Sequence, residues 1–217
     1  MDLGTMMGLL MDGLVFTLQI FAITLVGALP LGILVALGRM SKFKPLSLLV
    51  QLYISIMRGT PLMLQLMAWC YGPYYLFGLS LGSDWKYVAC SIGFILNYAA
   101  YFAEIYRSGI QSVPQGQREA AAVLGYSKTQ TFMKIILPQV IKRILPAMGN
   151  EIITLVKDTS LAFVLGIMEM FTQAKAIAAS EVSMVPYFIA GLIYWVFNLI
   201  VVGILNKIEK KLSYYHD

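Results

Sequence analysis

LVFTLQIFAITLVGALPLGILVAL, residues 14–37, runs from Leu14 to Leu37 without one charged side chain. A bilayer hydrocarbon core about 30 Å thick is crossed by about 20 apolar residues in helical form, so this run is long enough to span it. A second charge-free run, Val185 to Leu205, repeats the signal near the other end. Between them lie three further stretches of spanning length with polar interruptions: Leu46 to about Phe77, Tyr87 to Tyr106, and about Ala147 to Phe171. The expectation is an all-α integral membrane protein with five transmembrane helices, and an odd number puts its termini on opposite sides. No repeat, low-complexity tract or linker divides the chain, so residues 1–217 read as a single membrane domain. The first run is too long for a cleavable signal peptide and lacks a charged n-region and a small-residue cleavage site, so it is expected to stay in the mature protein.

Composition agrees, because 59% hydrophobic and 12% charged residues lie far from the balance of a soluble domain. A net charge of +5 would suit nucleic acid only if the basic residues formed a stripe with aromatic platforms. They are spread between apolar runs, and no nucleic-acid partner is expected. Cys70 and Cys90 sit in apolar stretches and read as small buried hydrophobes rather than a disulfide. Lysines and arginines orient the chain, since cytoplasmic loops retain them. Arg39, Lys42 and Lys44 follow the first span, Arg107, Arg118, Lys128, Lys134, Lys142 and Arg143 the third, and Lys207, Lys210 and Lys211 the fifth. The opposite loops hold only Lys86 and Lys175. The N-terminus is therefore expected outside and the C-terminus in the cytoplasm, where the basic tail reads as a solvated stop or a contact with anionic lipid.

The longest stretch between spans is GIQSVPQGQREAAAVLGYSKTQTFMKIILPQVIKRILP, residues 109–146. Pro114 can open a helix, the alanines after Glu119 favour it, and Gly125 can stop it in the left-handed conformation. Ser127 and Gln130 have the spacing of a capping box for a second helix, which Pro138 is expected to end near Leu137. The pattern predicts a helical hairpin whose Ala120, Ala121 and Ala122 present a surface without bulk. It could rest on the lipid or on the spans, or fill a groove on another protein.

Glu119-Ala120-Ala121, then Gly125, Ile135 and Leu137-Pro138, match at each position the EAA motif of ABC importer permeases: E-A-A, three residues, G, nine residues, I, one residue, L-P. RGTPLMLQL (58–66), YFAEIYRSGIQSVPQGQ (101–117) and NEIITLVKDTSLAFVLG (150–166) resemble the polar amino-acid branch of that superfamily. The resemblance covers nearly the whole chain from Leu14 onwards. It implies a type I ABC importer fold in the bacterial inner membrane, with residues 109–146 as coupling helices. Glu119, Ala120, Ala121 and Gly125 would then dock on a cytoplasmic ATPase, although a carboxylate near a helix N-terminus also suits the helix dipole. The implied partners are two ATPase subunits, a second permease copy or a related permease, and an extracytoplasmic substrate-binding protein. ATP with Mg would be bound by the ATPases and no cofactor by this chain.

Ionisable groups inside spans are costly and commonly mark a pathway. Counting from the cytoplasmic ends, Arg58-Gly59-Thr60-Pro61 and Asp158-Thr159-Ser160 both begin about 18 Å deep, and Asn97 lies about 15 Å deep. Gly59 and Pro61 supply a helix break, and transporters place substrate sites at such breaks. An amino acid needs both donors and acceptors, which Gly59, Thr60, Pro61, Gln65, Asn97, Asp158, Thr159 and Ser160 can offer through side chains and loosened backbone. Alternatively, RGTP is a packing kink with Arg58 held by a carboxylate or a carbonyl. Asp158 either faces the pathway and favours a cationic side chain or salt-bridges Arg58 or another basic group. Lys157, its neighbour, looks in another direction and pairs elsewhere. Glu104 and Arg107 have the spacing of an i,i+3 pair, Glu151 could belong to an inner gate, and the aromatic and Met residues of the spans read as packing or lipid-facing groups.

No G-x-x-x-x-G-K-S/T phosphate loop occurs, so ATP hydrolysis is expected on a separate subunit. The single histidine, His216, lies in the tail, which argues against a metal cluster or a membrane-embedded Ser-His-Asp hydrolase. The rival reading is an ion-gradient-driven secondary transporter or a channel, which also uses midplane polar sites but does not require the EAA hairpin.

Overall fold

The computed structural model describes residues 1–212, leaving His216 outside the described residues. Among the described residues every element is helical: α1 (Leu3–Arg39), α2 (Lys44–Gly59), α3 (Leu62–Phe77), α4 (Trp85–Gln111), α5 (Gln115–Val123), α6 (Lys128–Thr131), α7 (Leu137–Asp158), α8 (Met170–Glu181) and α9 (Val185–Leu212). Among the described residues three helices, α1, α4 and α9, are long and apolar enough to cross a membrane, and α2 with α3 qualifies as a broken fourth.

The centre of the bundle is α4, which packs against α1, α2, α3 and α7. Association of helices in lipid relies on close van der Waals packing, which small residues permit. On α1, Thr24, Ala28, Gly32 and Ala36 recur every fourth residue on the buried face. Opposite them α4 offers Ala99, Ala100, Phe102 and Ala103. A Cβ at Gly32 would lie 2.9 Å from the Phe102 Cβ, which shows how closely the two backbones approach. At the other end of α1, a Cβ on Gly13 would lie 2.7 Å from the Met170 Cα, where α8 begins. Gly13→Val should therefore destabilise the chain by about 1–3 kcal/mol through overpacking. The check is a lowered Tm in detergent, with Gly191→Val, at a position open to its surroundings, leaving Tm unchanged.

Two of the stretches read as single spans are interrupted. The stretch from Leu46 to Phe77 forms two helices that meet at 110°. Thr60 is extended, with φ −123° and ψ 150°, as the residue before a proline prefers. The stretch from Ala147 to Phe171 is not one helix either: α7 begins ten residues earlier, at Leu137, and stops at Asp158. A 3-10 turn, Thr159–Leu165, follows it and ends at Gly166 in the left-handed conformation. The tightening has a local cause, because Thr159 Oγ1 donates to the Val156 carbonyl and Ser160 Oγ to the Lys157 carbonyl, each three residues back. Glu169, fully buried, then caps α8 by accepting from the Phe171 and Thr172 amides and the Thr172 hydroxyl, and the Tyr194 hydroxyl donates to it as well. The cysteines are unpaired, as their apolar settings predict.

The 109–146 stretch also differs in its second half. The Ser127–Gln130 capping box forms with both of its hydrogen bonds, and Gly125 takes φ +80° at the end of α5. Its amide and that of Tyr126 satisfy the Ala122 and Ala121 carbonyls, as in a Schellman ending. Pro138, however, does not end the second helix. From α6 the chain passes through a π turn, Phe132–Ile136, straight into α7. The wide turn shifts the hydrogen-bond register just ahead of Pro138, so the missing N–H falls where the ladder is already changing.

Candidate functional site

The elbow between α2 and α3 faces α4 and α7 across a cavity of about 400 Å³. Thr60, Pro61 and Leu62 form the elbow wall, Asn97, Tyr98 and Tyr101 come from α4, and Glu151, Thr154 and Asp158 come from α7, with Leu161 beyond it. The α7 residues stand at i, i+3 and i+7, which puts them on one face and separates the two carboxylates by about 10 Å along the axis. Asp158 Oδ2 accepts a hydrogen bond from the buried Tyr98 hydroxyl at 2.8 Å. Among the described residues neither Asp158 nor Glu151 forms a salt bridge. The cavity wall therefore carries two carboxylates that are not ion-paired, and no cationic side chain lines it.

Arg58 forms an ion pair with neither, although its charge acts on Glu151 from a distance. Its guanidinium lies 3.8 Å from Glu104 and 5.1 Å from the centre of the Tyr101 ring, so the alternative of an Arg58–Asp158 bridge is not what the chain forms. Glu104 also receives Arg107 at 2.6 Å, the i,i+3 pair read from the spacing. That pair holds the Glu104 carboxylate on α4 and leaves Arg58 at the edge of the elbow. Lys157 is exposed and forms no salt bridge among the described residues, contrary to the expected structural pairing.

Of the residues read as substrate-facing, Thr60, Pro61, Asn97 and Asp158 reach the cavity wall. Gly59 lies outside it at the elbow, and Gln65 is buried with its amide spent on the Met57 and Thr60 carbonyls and the Thr60 hydroxyl. Thr159 is fully buried, and the Ser160 hydroxyl bonds its own backbone. Sequence reasoning set Glu151 at a gate and the aromatic residues in the packing. The i,i+7 relation of Glu151 to Asp158 and the i,i+4 relation of Asn97 to Tyr101 are the signals that place all four on one surface.

The hairpin of residues 109–146 is exposed at its tip and pinned at its base. Glu119 and Ala120 face outward, Val123 and Leu124 are 88% and 75% exposed, and Ala121 is turned inward at 2%. The flat alanine surface is thus interrupted at Ala121. Glu119 stands in the second turn of α5, past the first turn where the helix dipole acts. Gln117 and Gln139 exchange amide hydrogen bonds at 3.1 and 2.7 Å, joining α5 to α7. Arg143 donates to the Ser112 carbonyl at 2.6 Å, and Val113, Ile136 and Val140 form a small apolar core beneath. The hairpin base and the N-terminal end of α7 are therefore one packed body.

Comparison with known proteins places this geometry among transporters. Residues 28–214 match the family model described as binding-protein-dependent transport system inner membrane component. The arginine transport system permease protein ArtQ of Bacillus subtilis (strain 168) is 39% identical over 205 residues, covering 94% of this chain and 92% of its own length. The L-cystine transport system permease protein TcyB of the same organism is 34% identical over 209 residues, covering 95% and 88%. A chain in a crystal structure of an amino acid ABC transporter with histidines superposes with a TM-score of 0.86 at 34% identity, over 97% of this chain and 99% of that one.

Proposed function

This chain belongs to the family of binding-protein-dependent transport system inner membrane components, and from that premise we propose that it forms the translocation pathway of an ATP-driven importer for polar amino acids, with a preference for cationic side chains. It is a multi-pass membrane protein, an amino-acid ABC transporter permease. The observation that carries the substrate reading is the cavity at the α2–α3 elbow, where Asp158 and Glu151 face Thr60 and Asn97 with no cation among them. A bound amino acid with a basic side chain would supply the missing positive charge, and the elbow would offer backbone donors and acceptors to the other end.

Residues 1–217 form one membrane domain in this reading, with five crossings made by α1, the bent α2–α3 pair, α4, α7 with its 3-10 extension, and α9. The distribution of lysine and arginine supports an outside N-terminus and a cytoplasmic C-terminus. Residues 109–146 then face the cytoplasm as the coupling segment. Two ATPase subunits, holding ATP with Mg, engage Glu119, Ala120 and the exposed tip, while Ala121 and Gly125 keep the hairpin in shape. A second permease copy or a related chain completes the pathway, and a substrate-binding protein delivers cargo at the outer face.

The test is reconstitution in proteoliposomes with candidate ATPase and binding-protein subunits, followed by uptake of labelled arginine, lysine, histidine, glutamine and glutamate. Uptake should require ATP and the ATPase and should favour the basic amino acids. Translocation by the purified chain with no nucleotide-hydrolysing subunit present would replace this reading with that of a gradient-driven transporter or a channel.

A further inference from the structure

Proline at position 61 removes the N–H that would otherwise pair, four residues back, with the Met57 carbonyl at the end of α2. A carbonyl orphaned at membrane depth needs another donor. It has two: Gln65 Nε2 at 2.9 Å, from the first turn of α3, and Asn97 Nδ2 at 3.0 Å, from α4. Asn97 Nδ2 also donates to Gln65 Oε1 at 2.9 Å, which couples the two amides directly. Gln65 Nε2 further reaches the Thr60 hydroxyl at 2.8 Å and the Thr60 carbonyl at 3.2 Å, and the Thr60 hydroxyl donates to the Ile56 carbonyl at 2.8 Å. Carbonyls only accept, so both NH₂ groups must face them, and the orientation of each amide is set by its partners. The two side chains are 7% and 4% exposed.

We infer that Gln65 and Asn97 are positioning residues: they replace the hydrogen bond that Pro61 deletes, and so lock the 110° elbow against α4 and hold Thr60, Pro61 and Leu62 as a fixed wall of the cavity. Their donors are committed to protein carbonyls before any substrate arrives. Tyr53, one turn before Met57, donates to the Leu96 carbonyl, next to Asn97, and ties the same end of α2 to the same part of α4.

The inference rests on the transport reading only for its second readout. The first is hydrogen exchange of peptides covering residues 56–66 in the assembled, substrate-free transporter, compared with peptides from α9. Asn97→Leu, Asn97→Asp and Gln65→Met each leave buried acceptors unmatched, and exchange across the elbow should rise at least about tenfold with α9 unchanged. Uptake should then fall for every amino acid tested, with the ratio between arginine and glutamine held within about twofold, because a wall has moved rather than a specific contact been lost. Unchanged exchange in the elbow, with KM raised for one substrate class, would make the amides substrate ligands and overturn the inference. Loss of the assembled complex in all three variants would overturn it too, since a local brace predicts local opening. Absence of ATP-dependent uptake in the parent transporter would instead count against the proposed function and leave the exchange result standing.

Discussion

Replacing Glu119 with lysine is expected to lower ATP-dependent uptake at least about thirtyfold while the permease still folds and reaches the membrane. The carboxylate is exposed on α5, in the second helical turn, and forms no salt bridge among the described residues. Its charge is thus free for a partner. Reversing one charge of an interfacial pair typically costs about 2–5 kcal/mol, of which the lower bound already corresponds to about thirtyfold in affinity. Because Gln117, Gln139 and Arg143 hold the hairpin from the opposite side, the substitution should leave its fold intact. The measurement is uptake in proteoliposomes beside pull-down of the ATPase, with Tm of the purified permease as control. Undiminished uptake would mean that the docking face lies elsewhere.

Asp158→Asn is expected to erase most of the discrimination between arginine and glutamine. The side chain keeps its shape and can still accept from the Tyr98 hydroxyl, so the wall of the cavity should persist. What disappears is a carboxylate that forms no salt bridge among the described residues. A charge-assisted hydrogen bond contributes about 1.5–3 kcal/mol, so arginine uptake should fall about 10- to 100-fold relative to glutamine. Glu151→Gln, two turns along the same face, should give a change in the same direction. Competition uptake with both substrates checks it, and an unaltered preference in Asp158→Asn would remove that residue from the specificity reading.

The elements most legible in the sequence were those whose cause is local. The charge-free runs of α1 and α9, the left-handed stop at Gly125 and the capping box at Ser127 follow from composition and from three-residue spacing alone. So does the elbow, because Gly59 and Pro61 are enough to break a helix. The continuation through Pro138 was not legible, since it depends on a π turn whose extra residue leaves no compositional mark. Nor were the separate fates of the midplane polar groups. Depth placed Thr60, Asn97 and Asp158 together and polarity added Gln65, but neither says whether a side chain spends its hydrogen bonds on the chain or offers them to a cavity. One count along the backbone carries part of the answer: four residues before Pro61 stands Met57, whose carbonyl must find a donor, and the nearest amides are Gln65 and Asn97.

The unbroken course from the π turn to Asp158 makes α7 a lever arm. Its 22 residues extend about 32 Å, with the fulcrum at the packed hairpin base and the acidic face at the far end. A swing of about 10° at the base would carry Asp158 through about 6 Å, more than a hydrogen bond can stretch. A small rotation imposed at the hairpin base would in this way be magnified into breakage and remaking of contacts beside the cavity.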